Sequence, residues 1–346
     1  MKRVLAIACV CFVFSTSALG LAEGSWAQIN QPINRPENWL SFVTDSPFEL
    51  GIKEEMGEVN GLTAYRQSYG SYPSLDGSTV AVPMAMELAR QLLGLREEDL
   101  SGFVTFSTTH NAYTRLIERR PNLSAKINSG MIAMDENHPV DLILATGPSK
   151  EELQMASDAG VTLVTTPICY DAFVFLVNAR NPVNGLTIDQ IRQIYTGQIQ
   201  NWANIGGSSR EILPFQREPN SGSQTAMETL VMQGIPMAGV IPNFVSDGMA
   251  DLVRQVGDYN NGEASIGYSY LYYLENLFAS DEVKTLAIDG YSPTRENIRS
   301  GLYPFGTCYY AVYRQGDALG QAFTEWLLSE PGQRCIEQAG YIPIAE

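Results

Sequence analysis

Around Arg217 the chain reads Arg217-Glu218-Pro219-Asn220-Ser221-Gly222-Ser223-Gln224, the end of an apolar run followed by the opening of a helix that reaches Met232. Each piece of this segment is an anion donor. A helix start exposes unpaired N–H groups and carries partial positive charge. Gly222 lets a ligand approach the backbone, and Ser221 and Ser223 add hydroxyl donors. Arg217 offers two prongs to two oxygens of one oxyanion. Three more turns carry hydroxyls at helix starts: Asp76-Gly77-Ser78-Thr79, Ser107-Thr108-Thr109 and Thr146-Gly147-Pro148. Singly, such residues are ordinary caps and turns. With an arginine and a Ser-Gly-Ser triplet at one helix start, the set suits a compact tetrahedral anion.

The elements that position these turns alternate short apolar runs with amphipathic helices from about residue 70 onward, the pattern of an α/β fold with largely parallel sheets. Tyr72–Leu75 precedes the first turn and a helix to about Leu93. A strand Phe103–Phe106 precedes the second turn and a helix from His110 to about Glu118. A strand Asp141–Ala145 precedes the third turn, whose helix opens with the capping box Ser149-x-x-Glu152. Further strands are expected at Val161–Thr165, Asp171–Asn178, Ile212–Gln216, Ser265–Tyr270, Val283–Ile288 and Thr307–Tyr313. Helices are expected at Thr187–Tyr195, stopped at Gly197, and at about Ala318–Leu328 and Gly332–Ala339. The tyrosine-rich stretch 268–273 reads as core or as a sugar-stacking platform.

The first residues, Lys2 and Arg3, an apolar run Val4–Phe14 and a small-residue stretch to Ala22, have the order of a secretory signal peptide, which makes 1–22 a cleaved segment and 23–60 a polar leader. Cys9 and Cys11 fall inside the apolar run, too near its basic start for a lipidated cysteine. With 22 basic and 38 acidic side chains the chain carries −16, a charge unsuited to nucleic acid or anionic membranes. Of the remaining cysteines, Cys308 and Cys335 form the plausible disulfide, with Cys169 odd. Only His110 and His138 occur, so no metal cluster or other cofactor is expected. His110 is placed to line a cleft. Asn122-Leu123-Ser124 matches a glycosylation sequon.

The chain resembles the periplasmic phosphate-binding proteins of ABC transporters, in their Gram-positive-like branch. The resemblance rests on Asp76–Thr79, Asp171–Phe175 through Asn181-Pro182-Val183, Ile194–Trp202, Arg217–Gln224, Ile266-Gly267-Tyr268 and Gly340–Pro343, in the family's order over residues 70–346. It implies an α/β, type II periplasmic-binding-protein fold: two lobes, each a mixed sheet flanked by helices, joined by two crossing strands near Pro167–Asp171 and Gly301–Tyr309. Lobe 1 is then 61–168 plus 307–346, and lobe 2 is 169–306. The implied ligand residues are Ser78, Thr79, Val80 and Thr109 on one side and Arg217, Ser221, Gly222 and Ser223 on the other. Where family members carry an aspartate that accepts the proton of hydrogen phosphate, this chain has Thr146, with Asp76 a candidate substitute. The implied partners are inorganic phosphate and the permease subunits of an ABC transporter, with the binding protein itself exported, monomeric and not an enzyme.

Two other classes remain open on the residues alone. A secreted hydrolase would use the same hydroxyls as nucleophiles, but no Gly-x-Ser-x-Gly elbow occurs and no histidine is placed to serve Ser221 or Ser223. A binding protein for sulfate, molybdate or a small organic anion, or a sensor or surface protein of the same fold, uses the same turns without the aspartate.

Overall fold

The computed structural model describes residues 42–59, 61–122, 126–127, 132–239, 245–246, 248–258 and 262–345. The expected signal peptide, Cys9, Cys11, the leader as far as Ser41 and the sequon residues Leu123 and Ser124 lie outside them.

Within the expected leader, β1 (Lys53–Val59) pairs antiparallel with β2 (Leu62–Gln67), and β2 pairs parallel with β5 (Ile132–Met134), which also takes β4 (Lys126–Ile127). Among the described residues the main sheet has eight strands. Along it β3 (Leu75–Gly77) lies parallel to β6 (Leu142–Ala145), then β15 (Gly306–Arg314), β7 (Leu163–Asn178), β12 (Ser265–Tyr270) and β9 (Leu213–Pro214) follow, while β13 (Val283–Thr285) and β16 (Ile342–Pro343) also pair with β7. Small parallel pairs are β8 (Gly185–Leu186) with β14 (Ala287–Ile288) and β10 (Gln216–Arg217) with β11 (Val245–Ser246).

The runs Val161–Thr165 and Asp171–Asn178, expected as separate strands, form one 16-residue strand, β7. Its first half pairs with β15 and its second half with β12 and β13, so β7 links the β15 side of the sheet to the β12 side. Pro167, which has no N–H to give a ladder, sits at the register shift of β15 between Tyr309 and Tyr310. Residues 171–178 are buried throughout, which explains why this stretch is continuously apolar where half-buried strands alternate. Around it Phe173, Phe175, Tyr195, Tyr268 and Phe305 pack ring to ring. Truncating such a ring, as in Phe175→Ala, costs about 3–5 kcal/mol. The tyrosines 268, 270, 272 and 273 are all buried, so this stretch is core and not a sugar platform.

Ten helices flank the described sheets: α1 (Val82–Leu93), α2 (Glu97–Phe103), α3 (Thr109–Glu118), α4 (Lys150–Asp158), α5 (Ile188–Tyr195), α6 (Gly222–Ala226), α7 (Met249–Gly257), α8 (Arg295–Arg299), α9 (Ala318–Leu327) and α10 (Glu330–Gln338). The expected strand Phe103–Phe106 does not form. Phe103 instead closes α2, whose first turn holds Glu97, Glu98 and Asp99, the charge a helix start favours. Both bonds of the Ser149 capping box are present, with Glu152 N–H donating to Ser149 Oγ at 3.2 Å and Ser149 N–H to Glu152 Oε2 at 2.7 Å. A second box caps α5, between Thr187 and Gln190. After α6 the coil widens into a π-type turn over Met227–Met232. Cys169, Cys308 and Cys335 are free thiols, so the expected Cys308–Cys335 disulfide is absent: Cys308 lies in β15, and Cys335 is buried in α10.

Candidate functional site

Four helix starts carry the expected donors. The first follows β3. Gly77 is required there, because a Cβ would lie 2.2 Å from the Leu144 carbonyl oxygen and 2.8 Å from the Phe106 ring. That close approach ties the turn to β6, with Ser78 N–H donating to Leu144 O at 3.0 Å. Ser78 is buried and its Oγ has no hydrogen-bond partner. Thr79 points the other way, into solvent, and Val80 is buried with its carbonyl accepting from the Tyr341 hydroxyl. Of the two hydroxyls expected at this turn, Ser78 is the inward one.

The second turn contains Thr108 at φ 108°, ψ 161°, backbone that residues with a Cβ rarely adopt and that costs on the order of 1–3 kcal/mol. Thr109 follows as the first residue of α3 and is buried. The third turn places Thr146 at the end of β6. Its carbonyl accepts from Tyr113 Oη at 2.9 Å, while its own Oγ1 is buried without a partner. A buried hydroxyl left in that condition costs about 1–3 kcal/mol, which hydrogen bonding to an oxyanion offsets.

The fourth turn opens α6, which packs against β10 and β12. Ser221 caps α6, its Oγ accepting from Gln224 N–H at 3.2 Å. Gly222 comes next, and its backbone runs so close to the second and third turns that a Cβ would lie 2.5 Å from Thr146 Oγ1 and 3.0 Å from Thr109 Oγ1. Gly222, Thr146 and Thr109, all expected in the site, therefore meet at one point. The Gly222 carbonyl accepts from Tyr270 Oη at 3.0 Å. Ser223 is buried and its Oγ lies 3.3 Å from Arg217 Nη1, while Arg217 Nε donates to Ser246 O at 2.9 Å. The Arg217 backbone N–H donates to Tyr268 Oη at 2.9 Å. Burial pulls the guanidinium below its ordinary pKa, yet arginine starts from so high a value that it stays cationic.

Asp76 does not face the ligand as a proton acceptor. It is wholly buried; Oδ1 accepts from Gly77 N–H and Ser107 N–H, both at 2.7 Å, and Oδ2 from Ser107 Oγ at 2.7 Å and Arg115 Nη1 at 3.0 Å. Burial raises its carboxyl, and the Ser107, Gly77 and Arg115 donors pull it back down. His110 is half-exposed beside Thr109, but its Nδ1 lies 3.1 Å from Glu152 Oε1. His138 is engaged elsewhere, 2.9 Å from Asp141 Oδ2.

Midway along β7, Asp171 is buried, accepting from Tyr309 Oη at 2.7 Å, Ala172 N–H at 2.8 Å and Tyr272 N–H at 3.1 Å. Burial pushes its carboxyl up to about 7 against the pull of these three donors. Tyr272 in turn stacks on Tyr341 at 3.7 Å between centroids, and Tyr341 reaches Val80 at the first turn. Beside the donor cluster a cleft of about 660 Å³ opens between the start of α4 and residues 220–237, lined among others by Lys150, Asn220, Glu228 and Gln233. Asn220 donates to Glu151 at its wall.

Sequence alone does not mark the tyrosines that pack around this candidate site. Tyr268, Tyr270 and Tyr341 carry the apolar signature of core strands and ends, and only their buried hydroxyls, which require partners, could have marked them.

A family model described as the PBP superfamily domain matches residues 105–331. The phosphate-binding protein PstS of Bacillus subtilis is 27% identical over 234 residues, 62% of this chain and 74% of that protein. PstS of Borreliella burgdorferi is 26% identical over 202 residues, 57% of this chain and 69% of that one. Among solved structures, a Clostridium perfringens protein described as a phosphate ABC transporter substrate-binding protein with bound phosphate superposes with a TM-score of 0.56 at 26% identity, covering 78% of this chain and 98% of that one. An ABC-type phosphate transport receptor from Vibrio cholerae, at TM-score 0.53 and 22% identity over 78% of this chain and 98% of its own, shares the fold.

Proposed function

As the chain belongs to the PBP superfamily, we propose that it is an exported solute-binding protein that closes two lobes on inorganic phosphate and delivers it to the permease of an ABC transporter. The observation that carries this reading is the meeting of Gly222 with Thr146 and Thr109 across the lobes, beside the buried Arg217. An oxyanion bridging those residues makes more bonds in the closed form than in the open one, which is what stabilises closure. The names of the relatives from Bacillus subtilis and Borreliella burgdorferi, and the phosphate bound in the Clostridium perfringens structure, point to the same ligand. In this reading the ligand residues are Ser78, Val80, Thr109, Thr146, Arg217, Ser221, Gly222 and Ser223, with Thr79 at the rim, and the lobes divide as 61–168 plus 307–346 against 169–306.

Capture without chemistry fits the side chains present. Ser221 Oγ is engaged as a cap, and both histidines are bonded to carboxylates. Export after removal of 1–22 belongs to the same proposal; no described helix is long and apolar enough to cross a membrane.

The hydroxyl of Thr146 favours a second reading. It can donate or accept, so unlike a carboxylate it does not repel a fully ionised oxyanion, and sulfate or molybdate fits the same donors. Thermal melts at constant ionic strength separate the two. Millimolar phosphate raises the melting temperature by several degrees and sulfate does not if phosphate is the cargo. An equal rise with sulfate selects the second reading, and no rise with either refutes both.

A further inference from the structure

We infer that Asp76 is a positioning residue for anion capture: it holds the turn Ser107-Thr108 so that Thr109 and the first turn of α3 face the bound oxyanion. The inference rests on the site proposed above. A carboxylate offers about four lone-pair positions, and here four donors take them: Gly77 N–H, Ser107 N–H, Ser107 Oγ and Arg115 Nη1. With no exposed surface and its positions filled from within the protein, Asp76 acts on the ligand only through these partners.

The partners connect the first two anion turns. Gly77 precedes Ser78 in the first, and Ser107 begins the second. Arg115, two turns along α3, fixes the helix against the same carboxylate and also donates to Asn122 Oδ1 at 3.1 Å, while Asn122 Nδ2 donates to Leu75 O at 2.7 Å. Thr108 lies between clamped Ser107 and the start of α3, and its φ of 108° is the feature the clamp maintains. Its N–H donates to Gly77 O at 3.3 Å, a further tie to the first turn. Released from Ser107, the turn is free to relax to ordinary backbone, and that rotation carries Thr109 away from Gly222 and Thr146. The carboxylate's own charge opposes an anion nearby, and its pairing with Arg115 is what lets it sit one residue from the ligand turn.

The test is a double-mutant comparison read by isothermal titration with inorganic phosphate at neutral pH, with circular-dichroism melts as the check on folding. Asp76→Asn turns an amide N–H₂ toward groups that are themselves donors, and is expected to weaken phosphate binding tenfold or more. Glycine occupies positive φ freely, so adding Thr108→Gly removes the need for the clamp. The double variant Asp76→Asn/Thr108→Gly is expected to bind at least threefold more tightly than Asp76→Asn alone, a recovery that mere loss of stability does not give. Should Asp76→Asn fail to fold, Ser107→Ala removes one clamp bond in its place and is expected to weaken binding threefold or more. Binding within twofold of the parent for Asp76→Asn, or for Ser107→Ala where Asp76→Asn does not fold, overturns the inference, as does a double variant no tighter than the single one. A parent that does not bind phosphate overturns the site itself, a failure distinct from a binding parent that is indifferent to the clamp.

Discussion

Gly222→Ala puts one methyl group at the meeting point of the lobes. The added Cβ would sit 2.5 Å from Thr146 Oγ1 and 3.0 Å from Thr109 Oγ1, with Thr146 Cγ2 at 3.5 Å. Ordinary contact needs about 3.5 Å, so the lobes must part by roughly 1 Å or Thr146 must rotate its hydroxyl away. Either response takes hydroxyl donors off the anion. Bonds to a charged group contribute about 1.5–3 kcal/mol each, so losing one or two weakens binding by roughly 2–4 kcal/mol, about 30- to 1,000-fold. Without ligand the lobes are free to part and relieve that contact, so the ligand-free protein should lose little. Gly222 opens a helix with φ outside the left-handed region, where alanine is the better helix former by up to about 1 kcal/mol. Titration calorimetry with phosphate, set beside melts without it, reads both quantities. Affinity within threefold of the parent, or a ligand-free melting point that collapses, would refute the geometry.

Arg217→Lys keeps the charge and loses the fork, and Arg217→Ala loses both; phosphate affinity should fall by roughly 1–2 and 2–4 kcal/mol respectively, and equal affinities for parent and Arg217→Ala would remove the guanidinium from the site. Asp171 titrates near 7 when folded and near 3.8 when unfolded, so the folded chain holds a proton that the unfolded chain has released. Its stabilising contribution is therefore complete below about pH 4 and lost as pH rises through 7, by up to about 1.4 kcal/mol per pH unit. Urea unfolding from pH 5 to 9 should show that decline in the parent and a flatter profile in Asp171→Asn, and superimposable profiles would contradict it. The cysteines 169, 308 and 335 are free, and burial raises all three thiols. Native protein should react slowly with a thiol reagent and melt at the same temperature with or without reductant; a drop on reduction would reveal a disulfide.

Most of the framework was legible because its signals are local. Ser149 and Glu152 announce a helix start within four residues, and the apolar run 171–178 announces a strand buried on both faces. Phe103–Phe106 misled because an apolar run this short reads alike as a strand and as the buried end of a helix. The candidate site is legible as a set of residue types and not as directions. Ser78 and Thr79 are equivalent on paper, and only the packing of β3 against β6 turns one inward and the other to solvent. Asp76 was read as a candidate ligand for the same reason: its bonds to Ser107 and Arg115 span 31 and 39 residues, and no local pattern announces a pairing across that distance. Cys308 and Cys335 share one C-terminal segment in sequence, whereas β15 and α10 place them by tertiary packing and leave both free.

Isothermal titration of the mature protein with inorganic phosphate, after bound anion has been removed by unfolding and refolding, decides whether the cluster around Arg217 and Gly222 captures phosphate. Saturable binding of one phosphate per chain is expected, lost or strongly weakened in Arg217→Ala. A refolded, cooperatively melting parent that gives no saturable heat with phosphate would contradict it.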